Sequence, residues 1–102
     1  MTIHMRLERL GNKLSALNDD IRLTVNDYII RMFDGSGVDL DNITKLDLLD
    51  DLGLDSIKFI SMIVDFEKIF NITIPDEKLH LDNFRTVDRI CETIRGEMEQ
   101  SL

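Results

Sequence analysis

The stretch Asp50–Phe70, "DDLGLDSIKFISMIVDFEKIF", joins an acidic loop to a long apolar run. At 3.6 residues per turn, the part from Ser56 onward carries two apolar faces. Phe59, Met62, Ile63, Phe66, Ile69 and Phe70 gather on one side, a broad aromatic face that predicts the core contact. Lys58, Ser61, Asp65 and Lys68 form a polar flank. Ile57, Ile60 and Val64 make a second apolar stripe, with Glu67 at its edge. Two readings of that stripe stay open. It packs beneath the chain's own loop or N-terminal helix, or it is a surface for a transient partner. Ser56 is equally two-sided. Serine and aspartate are favoured at helix starts, and an acid there meets the positive end of the helix dipole. Asp55-Ser56 is a helix start, a chemical handle, or both.

The surrounding sequence predicts more helix. In the first third, Ile3, Leu7, Leu10, Leu14, Leu17 and Ile21 recur at steps of four and three, and Val25, Tyr28, Ile29 and Met32 carry on after one stutter. This is one long helix, or two with a break near Asn18-Asp19-Asp20. The repeat packs on the chain's own core or forms a coiled-coil seam. Asp34-Gly35-Ser36-Gly37 is a breaker. Val38 to Asp51 reads as a long loop, yet Leu40, Ile43, Leu46, Leu48 and Leu49 punctuate it, so it must lie pinned over a core. Gly53 suits a turn, and Asn71 a C-terminal cap. In "ITIPDEKL", Pro75-Asp76-Glu77 opens a short helical turn. Thr86 caps a last helix whose face is Val87, Ile90, Cys91, Ile94 and Met98. Cys91 lies inside that stripe and reads as a buried, inert thiol.

Composition narrows the classes of function. The chain has 102 residues, enough for one small domain, and 43% of them are apolar. The net charge of −8 disfavours nucleic acid and anionic membranes and suits partners with basic patches. No apolar run is long enough to span a bilayer and no secretory signal pattern opens the chain, so an intracellular, cytoplasmic location is expected. With one cysteine, neither a disulfide framework nor a thiolate zinc cluster is expected. A serine nucleophile needs a base in reach. His4 and His80 are the two histidines, neither in a catalytic context, and no G-x-S-x-G elbow exists. A calcium loop through Asp39, Asp41 and Asp50 fails, because Ile43 and Thr44 stand where an oxygen ligand and a glycine are required. No glycine-rich phosphate loop is present. No catalytic residue and no metal site are expected, and the chain does not read as an enzyme.

With those chemistries set aside, "DLGLDSIKF" resembles the prosthetic-group attachment motif of acyl carrier proteins and peptidyl carrier domains. The resemblance runs on through "FEKIFNITIPDEKL" into "FRTVDRICETI" and covers roughly residues 25–95. It implies an all-α, four-helix bundle of acyl-carrier type, with a long loop between the first and second main helices and a short third helix. Residues 1–18 then form an N-terminal helical extension and residues 19–102 the carrier domain. The resemblance further implies that a separate phosphopantetheinyl transferase moves 4'-phosphopantetheine from coenzyme A onto Ser56. Asp55 would be the acid that helps transferase recognition. The arm's thiol would hold acyl or aminoacyl groups as thioesters, taken from a loading enzyme and passed to downstream synthases or transferases. The family's docking helix maps onto Ile57, Lys58, Ile60, Ser61, Val64, Glu67 and Lys68, the outward face already found from periodicity.

The departures from the family pattern set the type of carrier. Fatty-acid carriers usually bear acids just after the attachment serine and along the docking helix, where this chain has Lys58, Ser61 and Lys68. That resembles stand-alone carriers of polyketide, nonribosomal peptide or related natural-product pathways. The alternatives are a carrier of fatty-acid synthesis, and an unmodified helical adaptor that keeps the carrier fold. A monomer is expected, with dimerisation through residues 1–18 as the alternative.

Overall fold

The structure is a computed structural model that describes residues 19–35, 37 and 40–100. The N-terminal extension expected over residues 1–18, and the expected break near Asn18, lie outside or at the edge of these. Within them the chain is all-helical, without a strand. Three α-helices carry the fold: α1 over residues 19–32, α2 over Ser56–Phe70 and α3 over Val87–Gln100. Short 3-10 segments link them. The expected long loop contains one of these, Leu40–Lys45, kinked at Asn42. Where a short third helix is expected, two 3-10 turns stand, Asp76–Lys78 and Leu81–Phe84.

The core follows the helical spacing. Ile21, Val25, Ile29 and Phe33 are buried along one side of α1 and its end. They meet Met62, Ile63 and Phe66 of α2 and Val87, Ile90 and Ile94 of α3. Tyr28 lies against Phe66 with ring centroids 4.8 Å apart, and Phe59 meets Phe84 edge-on at 5.4 Å. Such tilted pairs add to simple area burial. The aliphatics of the long connection drop into the same core, with Ile43, Leu48, Leu52 and Leu54 all buried. Cys91 is half-buried, and burial raises its thiol pKa above the ordinary value. It is therefore a poor thiolate, consistent with the inert packing role expected of it.

One residue departs from the core face expected for α2. Ile69 is 50% exposed. It sits three residues beyond Phe66, roughly 60° round the helix from it. That places it at the margin of the apolar arc, where no other element covers it. Beyond α2 the chain is held by a cross-link not visible in the periodicity. Glu67 Oε2 accepts the Ile74 N–H at 2.9 Å, tying the helix to the extended residues that follow it. A second tie joins Lys78 to the buried Glu97 of α3, at 2.5 Å.

Candidate functional site

Ser56 is the first residue of α2 and is exposed. Three local devices place it there. Asp55 is extended (φ −106°, ψ 177°), and its Oδ1 accepts the Lys58 N–H at 2.8 Å. This is an N-cap bond, of a kind worth about 1 kcal/mol. Its carbonyl accepts the Phe59 N–H at 2.8 Å and opens the helical ladder. At the far end Asn71 adopts the left-handed conformation (φ 54°), and Glu67 O accepts the Ile72 N–H at 3.1 Å. Asparagine tolerates that conformation, so the helix stops there.

The turn ahead of Ser56 is itself capped. Asp47 Oδ1 accepts the N–H groups of Leu49 and Asp50, both at 2.9 Å. Asp51 Oδ2 reaches back to the Asp47 N–H at 2.7 Å. Gly53 closes the turn at φ 71°, a backbone region that L residues with a Cβ enter only with strain. Leu54 N–H then returns to Leu48 O at 2.8 Å.

Arg85 fastens this turn to the rest of the molecule. Its Nε donates to Asp47 Oδ2 at 2.6 Å, and its terminal nitrogen to Asp50 Oδ2 at 2.9 Å. Its carbonyl accepts the Leu48 N–H at 2.7 Å. The hydrogen bond from the Asp50 N–H, joined by Arg85, holds the Asp47 carboxyl below the usual carboxylate range. Asp50 enters the sequence pattern only as part of the rejected calcium loop, and Asp47 and Arg85 carry no signal there. The bonds span 35 to 38 residues, and an arginine among twenty acids carries no local signal of which it will meet.

The residues expected to face a partner lie together on the outer side of α2. Ile57 is 78% exposed, Ile60 61% and Val64 40%. Lys58, Ser61 and Lys68 are exposed beside them. Neither lysine has a carboxylate partner among the described residues, and Lys58 rests 5.3 Å from the Phe33 ring centroid. Glu67 is half-buried and engaged with Ile74. Asp65 accepts the Tyr28 hydroxyl, whose proton is held more tightly by burial and then by that bond. The reading of the Ile57–Ile60–Val64 stripe as packed under the chain's own loop or N-terminal helix is not met by the described residues, and the part of it that falls on residues 1–18 lies outside them.

This geometry suits a covalent anionic group on Ser56. Its hydroxyl has no hydrogen-bond partner among the described residues, and Ser56 stands at the positive end of a 15-residue helix, where a phosphate is favoured. Among the described residues no group of three or more His, Cys, Asp or Glu side chains could hold a metal ion, and no helix is long and apolar enough to cross a membrane.

Comparison with known proteins agrees with the geometry. Residues 36–94 match the family model described as phosphopantetheine attachment site, more than half of the chain, which therefore belongs to that family. Its domains are carriers, not catalysts, and hold 4'-phosphopantetheine covalently. Such carriers engage a phosphopantetheinyl transferase and further partner enzymes. A D-alanyl carrier protein of Streptococcus uberis is 32% identical over 74 residues, 72% of this chain and 94% of that protein. An acyl carrier protein of Amoebophilus asiaticus is 30% identical over 56 residues, 55% of this chain and 68% of its own. One from Phytoplasma australiense is 44% identical over 41 residues, 40% of this chain and 51% of its own. No solved structure matches with significance.

Proposed function

We propose that Ser56 is the residue that receives 4'-phosphopantetheine, and that the chain is a discrete carrier of acyl or aminoacyl thioesters in a specialised biosynthetic pathway. The observation that carries this is the exposed, unbonded Ser56 hydroxyl at the start of α2, inside the matched family region. In the transfer the Ser56 oxygen forms a bond to the pantetheine-bearing phosphorus of coenzyme A. The phosphoanhydride bond breaks, adenosine 3',5'-bisphosphate leaves, and the hydroxyl proton passes to a base on the transferase. No described side chain hydrogen-bonds the Ser56 hydroxyl, so in this reading the transferase brings the base. Once attached, the arm supplies a thiol that holds cargo as a thioester.

Asp55 spends one carboxylate oxygen on the helix cap, which leaves the other for the transferase. The Ile57, Ile60 and Val64 stripe, with Lys58, Ser61 and Lys68 around it, serves as the docking face, and Glu67 borders it. Two lysines on this face without a carboxylate partner among the described residues support a specialised pathway over fatty-acid synthesis. The similarity to a D-alanyl carrier protein supports a range of cargo beyond fatty acids. The supply of coenzyme A and transferase would place the protein in the cytoplasm.

The test is intact mass after incubation with coenzyme A, magnesium and a phosphopantetheinyl transferase. The expected result is a gain of one phosphopantetheinyl group that Ser56→Ala abolishes. No gain, or a gain that survives Ser56→Ala, overturns the assignment.

A further inference from the structure

The repeat that opens the chain has no part in the carrier site. Ile3, Leu7, Leu10, Leu14, Leu17 and Ile21 follow one another at steps of four and three, the a and d positions of a coiled coil. The last of them, Ile21, is 1% exposed in the first turn of α1 and belongs to the core. Asp19 and Asp20 are already helical, and no glycine or proline stands between Asn12 and Asp34. We propose that residues 1–18 continue α1 as a helical arm and pair, antiparallel, with the same segment of a second copy of this chain. The two Ser56 residues then lie at opposite ends of the dimer.

The direction of α1 sets where the arm leaves. Tyr28 meets Asp65 and Phe66, and Phe33 meets Lys58, so α1 runs antiparallel to α2. Residues nearer the N-terminus therefore lie farther from Ser56. Continued as helix, residues 1–18 reach about 27 Å beyond α1, and an apolar stripe on such an arm needs a cover. The grooves at its root do not match it. One, beside Asp19 and Arg22, is lined by Asp88, Glu92 and Arg95, with Ile21 and Cys91 as its apolar side chains. Arg22 there already pairs with Asp88 at 2.8 Å. The other, beside Asn71, Thr73 and Gln100, offers Ile72 alone. Neither can bury the aliphatic side chains of the arm.

A second copy does match. Antiparallel pairing sets Leu7 against Leu17 and Leu10 against Leu14, each pair made twice by the two-fold symmetry. On the flanks it brings Arg6 of one copy to Asp20 of the other, again twice, and Asp20 is exposed in α1. Parallel pairing instead sets Arg6 against Gly11 and Lys13 against Asn18, with no attraction. In the antiparallel form Lys13 meets its own counterpart, at an exposed flank where the cost is small. The arm carries Arg6, Arg9 and Lys13 against one acid, Glu8, in a chain of net charge −8. A basic tip thus reaches the acidic Asp19-Asp20 root of the other copy. The seam is short and Gly11 weakens its helix, so the dimer dissociates on dilution.

Sedimentation equilibrium of the full chain tests this. Over about a hundredfold range of concentration, the mass should move from that of one chain, 11.8 kDa, to twice that value. Leu10→Glu should hold it at one chain throughout, and Leu10→Gln serves if that variant fails to fold. Arg6→Asp and Asp20→Arg should each raise the dissociation constant about fivefold, the loss of two exposed ion pairs. Both changes in one chain should restore it. The two positions lie about 21 Å apart along one helix, so only pairing between copies couples them. A one-chain mass at every concentration, the result for an arm folded onto its own carrier, overturns the proposal. So does a dimer that survives both Leu10 changes, or a double charge change that fails to restore the affinity. None of these outcomes bears on Ser56 as the attachment residue, which the gain in mass with coenzyme A tests separately.

Discussion

Two neighbouring regions meet at Ser56 and are built in opposite ways. On its N-terminal side, residues 47–55 form a turn in which nearly every polar group is used. Asp47, Asp51 and Asp55 each accept backbone N–H groups, Arg85 bridges Asp47 and Asp50, and Leu48, Leu52 and Leu54 are buried. On its C-terminal side, the outer face of α2 presents Ile57, Ile60 and Val64 to solvent with no internal duty. The contrast separates two tasks. The turn holds the serine hydroxyl in place by bonds within the molecule. The helix face is left exposed, and the proposed function gives it to contacts with other molecules. If Ser56 is the attachment residue proposed above, its recognition by partner enzymes needs both a fixed point and an uncommitted surface around it.

The sharpest way to break that contrast is in the turn. Leu48 is 0% exposed, and its N–H and carbonyl are both bonded. Leu48→Ala is expected to cost about 2–5 kcal/mol, as for other large-to-small core changes. Urea unfolding of the apo protein measures it. A loss below about 0.5 kcal/mol, the range of ordinary surface changes, would show that the turn is not anchored through this side chain.

What could be read from the chain beforehand follows the same division. Asp55, Asn71 and Thr86 were recognisable as caps because capping is a contact between near neighbours. Each performs that role, Thr86 Oγ1 accepting the Arg89 N–H at 3.2 Å. The outward stripe of α2 was recognisable because a helix repeats every 3.6 residues. Ile69 was misplaced for the complementary reason. Periodicity gives a direction but not the reach of the elements that cover it, and the apolar arc ends before that residue. The Arg85 clamp and the Lys78–Glu97 pair were unreadable, since each joins segments whose proximity only the packed fold creates. The 3-10 segment at Leu40–Lys45 was read as loop, because its aliphatics lack a helical repeat.

A smaller effect tests the polar half of the turn through pH. The Asp47 carboxyl is held below the usual carboxylate range by the Asp50 N–H and Arg85. A carboxyl with a depressed folded-state pKa stabilises the fold above its unfolded value, about 3.9. That contribution is lost as pH falls through the lower folded value. Thermal midpoints of the wild-type chain should therefore fall more steeply below about pH 4 than those of Asp47→Asn, whose side chain does not titrate there. At neutral pH the variant should be the less stable of the two. Parallel curves would mean that the Asp47 bonds contribute nothing to folding.

The least effect on stability is expected where the effect on recognition should be large. Ile60 is 61% exposed, so truncating it removes little buried area. Ile60→Ala should change unfolding free energy by no more than about 0.5 kcal/mol. The same change removes an apolar anchor from the centre of the face beside Ser56. Anchors of this kind carry most of the energy of an interface, while the charges around them mainly tune encounter rates. The rate constant kcat/KM for modification by the transferase, measured with Ile60→Ala and with wild type at equal fold stability, separates the two quantities. A fall in kcat/KM without loss of stability is the outcome that the division between anchored turn and free face requires. A matching loss of stability would mean that this face belongs to the fold after all, and unchanged values of both would move transferase recognition off Ile60.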